Sequence, residues 1–234
     1  MLKIENLAVG YGGTPVLTDV SINVERGSLA LVIGPNGHGK STLLKAICGL
    51  IPKLGGSISY DGADISRASA WEIFSRGVVY VSEDRNLFSD MTVRENIVLG
   101  AQSPAAQPKQ AERFEMVLDL FPRLAERLDV MAGSLSGGEA RMLAIGRGMM
   151  SGPSLLALDE PTLGMAPILR EEVFAKIAEI SRSGMTTLLV EQDFTHSTKL
   201  TDNIHMLENG KIVFEGSKEE VLANETVRSA YLGI

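Results

Sequence analysis

The stretch Gly34-Pro-Asn-Gly-His-Gly-Lys-Ser-Thr42 fills every fixed position of the pattern G-x-x-x-x-G-K-[ST]. It constrains the fold more than any other segment, because the pattern has meaning only as the turn between a buried strand and a helix. Glycines at 34, 37 and 39 let backbone N–H groups converge on phosphate oxygens where a Cβ would intrude. Lys40 supplies a cation, the Ser41 hydroxyl is a ligand for Mg²⁺, Thr42 adds a phosphate contact, and Pro35, Asn36 and His38 complete the loop. A helix starting near Gly39 aims the positive end of its dipole at the same point. The flanks agree: Ser28-Leu-Ala-Leu-Val-Ile33 reads as a buried strand and residues 41–48 as a helix with an apolar face. A glycine-rich turn without a ligand is the plain alternative, and the full pattern in this context disfavours it.

The 234 residues, 44% of them hydrophobic, suffice for one large domain or a domain with a lobe. No apolar run approaches the ~20 residues of a membrane span, and Met1-Leu-Lys-Ile-Glu-Asn6 has no apolar signal core, so a cytoplasmic place is expected. The lone Cys48 reads as a core thiol. Lysine and arginine total 22 against 29 acidic residues, a net charge of −7, which argues against nucleic acid as a partner and against a basic membrane-binding face. Membrane association is therefore expected to run through a protein.

Residues 2–9 and 16–24 alternate apolar and polar positions around Gly10-Tyr-Gly-Gly-Thr-Pro15, predicting antiparallel strands. Tyr11, in that turn, is placed to stack on a nucleotide base, with packing as the rival role. A short strand is predicted over 57–60, a brief helix over 71–76 and a core strand over 77–82. Helices follow over 93–99, 110–121 and 137–150, with 102–108 as a proline- and alanine-rich linker. Strands over 154–159 and 186–190 flank a helix over 168–182; strands over 203–207 and 211–215 flank a hairpin turn, and Ser217-Lys-Glu-Glu220 is a capping box for a last helix.

Two further motifs carry chemistry. Leu155-Leu-Ala-Leu-Asp-Glu160 delivers two carboxylates to the C-terminal end of a buried strand, where ligands bind in open α/β sheets. Asp159 is placed to hold Mg²⁺ and Glu160 to polarise a water attacking a γ-phosphate; two solvated strand-end acids are the bland rival. Leu135-Ser-Gly-Gly-Glu139 is a capping box, yet capping does not ask for Gly137 and Gly138. With Ser136 they leave helix donors open to an anion, a second phosphate-binding feature.

Phosphate loop, Leu-Ser-Gly-Gly-Glu signature and Asp159-Glu160, in this order, resemble the ATP-binding cassette ATPases over nearly the whole chain. The resemblance implies an α/β fold: a P-loop NTPase core with a mainly parallel sheet, an antiparallel N-terminal β subdomain and an inserted helical subdomain. The core would comprise residues 1–84 and 151–234, and the insert 85–150. ATP and Mg²⁺ are the implied cofactors. The signature of one subunit is implied to close on the γ-phosphate held by another, in a head-to-tail dimer with a sister ATPase or with a second copy.

Three positions depart from the common pattern. Glu83 stands where Gln is usual, Gln192 where the switch His is usual, and Thr162-Leu-Gly-Met-Ala-Pro167 lacks an aspartate. An amide at 192 donates to a γ-phosphate but does not titrate as imidazole does. Glu83 beside a triphosphate needs a cation, and Arg85 is the candidate. His38, His196 and His205 are expected in loops or at the surface.

With Phe88, Thr92-Val-Arg-Glu-Asn96 and Tyr231-Leu-Gly233, the chain resembles the second ATPase subunit of branched-chain amino acid importers and their urea or amide relatives. Ala140-Arg141 departs from the glutamines usual after the signature. The resemblance implies two membrane-spanning permease subunits and, indirectly, a periplasmic or extracellular solute-binding protein, with the chain on the inner face of the membrane. A soluble cassette ATPase of DNA repair or translation is the rival; such proteins have a second cassette or a coiled-coil insert. A small-molecule kinase would lack the signature.

Overall fold

The computed structural model describes residues 1–101, 106–201 and 203–224 of the chain. In chain order, β1 (Leu2–Tyr11) and β2 (Thr14–Val24) form a hairpin, followed by β3 (Leu29–Ile33) and α1 (Lys40–Ile47). Next come β4 (Lys53–Tyr60), β5 (Ala63–Asp64), α2 (Ala70–Ser75) and β6 (Val78–Val81). The helical stretch is α3 (Val93–Leu99), α4 (Gln110–Leu120), α5 (Pro122–Ala125) and α6 (Gly137–Met150). The rest is β7 (Leu155–Asp159), α7 (Pro167–Arg182), β8 (Thr186–Glu191), α8 (Phe194–Ser197), β9 (Asn203–Glu208), β10 (Lys211–Gly216) and α9 (Lys218–Ala223).

Two sheets result. The first is antiparallel in the order β2-β1-β4-β5, the second is ordered β10-β9-β3-β8-β7-β6 and is parallel except for β10 at its edge. Burial follows position. β3, β7 and β8 are buried at every residue because both faces of the parallel sheet are covered, whereas β10 alternates, as an edge strand with one open face does. One apolar layer, holding Leu43, Leu44 and Ile47 of α1 among strands of both sheets, fills the space between them; a second lies between the parallel sheet and α3, α4, α6 and α7.

The strand predicted at 57–60 begins earlier, at Lys53, and takes in two glycines. Its register against β1 breaks there, and Gly56 adopts φ +79° with Asn6 O 2.4 Å from where a Cβ would stand. Glycine therefore permits the bulge that keeps this strand in the sheet. Of the predicted linker, Ala106 is buried and residues 107–109 form a 3₁₀ turn, while 102–105 lie outside the described residues, as do Tyr231, Leu232 and Gly233. Cys48 is buried, which pushes its thiol up to about 12 and makes it inert.

His205 corrects an expectation. It lies in the middle of β9 at 0% exposure, beside Val32, and neither ring nitrogen has a hydrogen-bond partner; Glu215 stands 3.7 Å away. Burial lowers its pKa, opposed by Glu215. The unfolded chain therefore binds a proton that the folded chain refuses. Stability should hold above the ordinary imidazole value near 6.5 and fall as pH drops from there toward the lower folded value. Urea unfolding of the protein and of His205→Leu at pH 7 and pH 5 checks this: the variant should lose less stability on acidification, and equal losses would contradict it.

Candidate active site

α1 starts with no side-chain cap and no acid in its first turn, whereas α2, α3, α6 and α9 all open on capping boxes. Its orphan N–H groups are left for an anion. Gly39 precedes it at φ +106°, where a Cβ would meet Leu17 at 2.5 Å. The preceding loop is clamped from one side: His38 Nδ1 accepts the Asn209 N–H at 3.1 Å and its carbonyl accepts the Gly210 N–H at 3.2 Å. Gly34 is buried and its N–H donates to the Glu191 carbonyl, while Asn36 and Gly37 stay exposed.

The carboxylates meet this loop from β7. Asp159 Oδ1 accepts from the Ser41 hydroxyl at 3.0 Å and Oδ2 from the Tyr80 hydroxyl at 2.6 Å. Burial, then the hydrogen bond and charge of Asp159, push the Tyr80 phenol up. Glu160 follows in a left-handed conformation, φ 40°, held by its N–H to Val190 O at 3.0 Å. Lys40 Nζ pairs with Glu160 at 2.9 Å and donates to the carbonyls of Gly34 and Pro35 at 2.8 and 2.9 Å. Both side chains are nearly excluded from solvent, and the second Glu160 oxygen has no partner.

A third acid braces the neighbouring turn. Buried Glu191 accepts the N–H and hydroxyl of Thr162 at 3.1 and 2.7 Å and the Gln192 N–H at 3.1 Å. Its carboxyl is pushed up by burial, against the pull of those bonds. Gln192, half-buried, shares a groove with Thr162, Gly164 and Arg170. His196, half-buried on α8, stacks on Phe174 and lies 3.0 Å from Asp193.

Glu83 is exposed, and its carboxyl is raised by partial burial and by Glu160, Asp159 and Asp84. Arg85 is not its counter-cation, contrary to expectation. The Arg85 guanidinium lies 3.6 Å from where a Cβ of Gly137 would stand, and the cation whose field reaches Glu83 is Arg141, which donates to the Glu83 carbonyl at 2.8 Å.

Tyr11 is 48% exposed at the tip of β1. The signature turn stands apart from the phosphate loop: Ser136 and Gly137 are exposed, and no hydrogen bond or ion pair among the described residues links 136–138 with 34–42. Ser136 and Glu139 form the predicted capping box. Neither glycine adopts a positive φ; Gly137 leaves bare surface at the turn, while Gly138 is buried, where a Cβ would stand 3.3 Å from Leu169.

A family model described as "ABC transporter" matches residues 17–163, more than half of the chain. The chain belongs to the ABC transporter family. Its ABC relatives include the high-affinity branched-chain amino acid transport ATP-binding protein BraG of Pseudomonas aeruginosa, 43% identical with all of both chains covered. The probable branched-chain amino acid transport ATP-binding protein LivF of Archaeoglobus fulgidus is 34% identical over 100% of this chain and 99% of its own. Among solved structures, a nucleotide-free ATP-binding cassette of an ABC transporter superposes with TM-score 0.85 at 31% identity, covering 100% and 99% of the two chains. The ADP conformation of an ATP-binding cassette gives 0.87 at 31% identity, with the same coverage. As a member of this ABC family the chain binds and hydrolyses ATP.

Tyr80, Thr162 and Glu191 were not legible as site residues. Their signals were faint: one aromatic hydroxyl in the apolar run Val78-Val-Tyr-Val81, and one acid closing the apolar run of β8.

Proposed function

We propose that this chain drives an importer of branched-chain amino acids or of a related small polar solute such as urea or an amide. Full-length 43% identity to a branched-chain amino acid transport ATP-binding protein supports that cargo class. The observation that carries the mechanism is the separation of the site into two parts, a loop with its carboxylates and an exposed signature turn. In this reading ATP lies on residues 34–42 with its base against Tyr11, and the Ser136-Gly137-Gly138 turn of a second subunit, a sister ATPase or another copy, closes on the γ-phosphate. Two permease subunits hold the pair at the inner face of the membrane, and a solute-binding protein delivers cargo from the other side.

Mg²⁺ fits the residues present. The Ser41 hydroxyl and Asp159 carboxylate are adjacent hard oxygen donors, and Mg²⁺ takes one or two such protein ligands with phosphate and water supplying the rest. When bound, it neutralises charge on the phosphate oxygens. A triphosphate on the loop competes with Glu160 for Lys40, and the freed carboxylate orients and deprotonates the attacking water. Gln192 donates to the γ-phosphate from the turn that Glu191 braces. Residues 85–150 act as the helical subdomain that carries the signature, and 1–84 with 151–234 as the nucleotide-binding core.

The reading is tested by assembling the chain with its permeases and binding protein and measuring solute-stimulated ATP hydrolysis. Leucine, isoleucine or valine, or else urea or an amide, should raise the rate; stimulation by none of them would contradict the cargo class. In the same assembly Glu83→Ala should reduce the stimulated-to-basal ratio several-fold and leave ATP affinity nearly unchanged. An unaltered ratio would remove Glu83 from coupling.

A further inference from the structure

Two arginines of α6 reach back to main-chain carbonyls of the segment after β6. Arg147 Nη2 donates to the Arg85 carbonyl at 3.0 Å. Arg141 does more: Nη1 donates to Ser82 O at 2.8 Å, and Nη2 donates to Glu83 O at 2.8 Å and to Glu160 O at 3.4 Å. One guanidinium thus spans the Glu83 segment and the residue that follows Asp159.

The arrangement is costly. Arg141 is 1% exposed, its hydrogen bonds go to carbonyls rather than to a carboxylate, and Nε has no partner. Burial, then the like charge of Arg85, lowers its pKa to about 10, against the fields of Glu191, Glu83 and Asp159, so it stays charged at neutral pH. An apolar or amide side chain would pack in a helix without desolvating a charge. What the guanidinium adds is geometry: a rigid fork with donors in two directions. It stands two residues beyond Glu139, on the helix that begins at the signature turn. The main chain it touches includes the left-handed Glu160, a conformation that persists only where its surroundings impose it.

The geometry points to Arg141 as a positioning residue for hydrolysis, joining the signature helix, the Glu83 segment and the main chain of Glu160 so that they move as one unit. This rests on the ATPase reading. A shift of α6, driven by a partner at its N-terminus, is passed through one side chain to the residue that orients water. The same link runs in reverse from the Glu83 segment.

The test is kcat and KM for MgATP in the full chain carrying Arg141→Lys or Arg141→Met, with folding followed by thermal unfolding. Misplacing a catalytic group by a fraction of an ångström costs rate rather than binding, so Arg141→Met should lose about tenfold or more in kcat with KM within about threefold. Lysine keeps the charge but not the fork, and should fall between the two. A change confined to KM, or wild-type kcat in both variants, overturns the assignment. If Arg141→Met does not fold, Arg141→Lys decides, and wild-type kcat there overturns it. If the unmodified chain, assembled with its partner ATPase and permeases, does not hydrolyse ATP, the ATPase reading fails instead.

Discussion

Glu160→Gln is expected to reduce ATP hydrolysis by about two to four orders of magnitude while ATP still binds, because the amide keeps the shape of the side chain but accepts no proton from water. The substitution keeps the side chain's shape but leaves the buried Lys40 ammonium without its counter-charge, so some stability is lost along with the activity. Glu160 is buried, one of its oxygens has no partner, and the other faces the Lys40 ammonium at 2.9 Å. Glutamine can present its carbonyl oxygen to Lys40. With hydrolysis blocked, nothing reopens a pair of chains closed over ATP, so the nucleotide-bound dimer should accumulate in MgATP. Steady-state phosphate release and solution mass measure the two effects, and normal turnover would exclude Glu160 as the base.

Lys40→Met should weaken ATP binding by about 30- to 150-fold, the worth of a charge-assisted hydrogen bond of roughly 2–3 kcal/mol. It should also destabilise the protein without nucleotide. Removing one member of a buried ion pair commonly costs about 3–5 kcal/mol, because the other is left uncompensated. Here the loss also strands the carbonyls of Gly34 and Pro35. The double variant Lys40→Met/Glu160→Gln should recover much of the stability and none of the affinity. Denaturant unfolding and titration with ATP separate these outcomes, and additive stability losses would show that the pair has no energetic coupling.

Much of this was legible because motif and periodicity coincided. The apolar run before Gly34, the loop and the helix after it could form only a strand, a turn and a helix, and Ser136 with Glu139 marked the start of α6. The strand at Lys53 was read short because its glycines signal a turn, whereas here they admit a bulge between Glu5 and Ala8 of the facing strand. His205 was misplaced because a polar residue within a short strand gives no sign that the strand lies between β3 and β10 with this side chain buried. The site was legible where residues are consecutive and obscure where it is assembled across strands. Tyr80 reaches Asp159 from β6, and Thr162 reaches Glu191 from another turn. Arg141 was noticed only as a departure from a pattern; its three carbonyl partners lie 59, 58 and 19 residues away along the chain.

In the proposed mechanism residues 34–42 form half of a site whose other half is the signature turn of a second subunit. The most direct test is the solution mass and bound-nucleotide content of Glu160→Gln in MgATP, with and without Ser136→Arg. Head-to-tail closure predicts a nucleotide-bound dimer for the single variant. For the double variant it predicts a monomer that still binds ATP, because Ser136 is exposed and, among the described residues, makes no hydrogen bond with the phosphate loop of its own chain. A dimer indifferent to Ser136→Arg would contradict it.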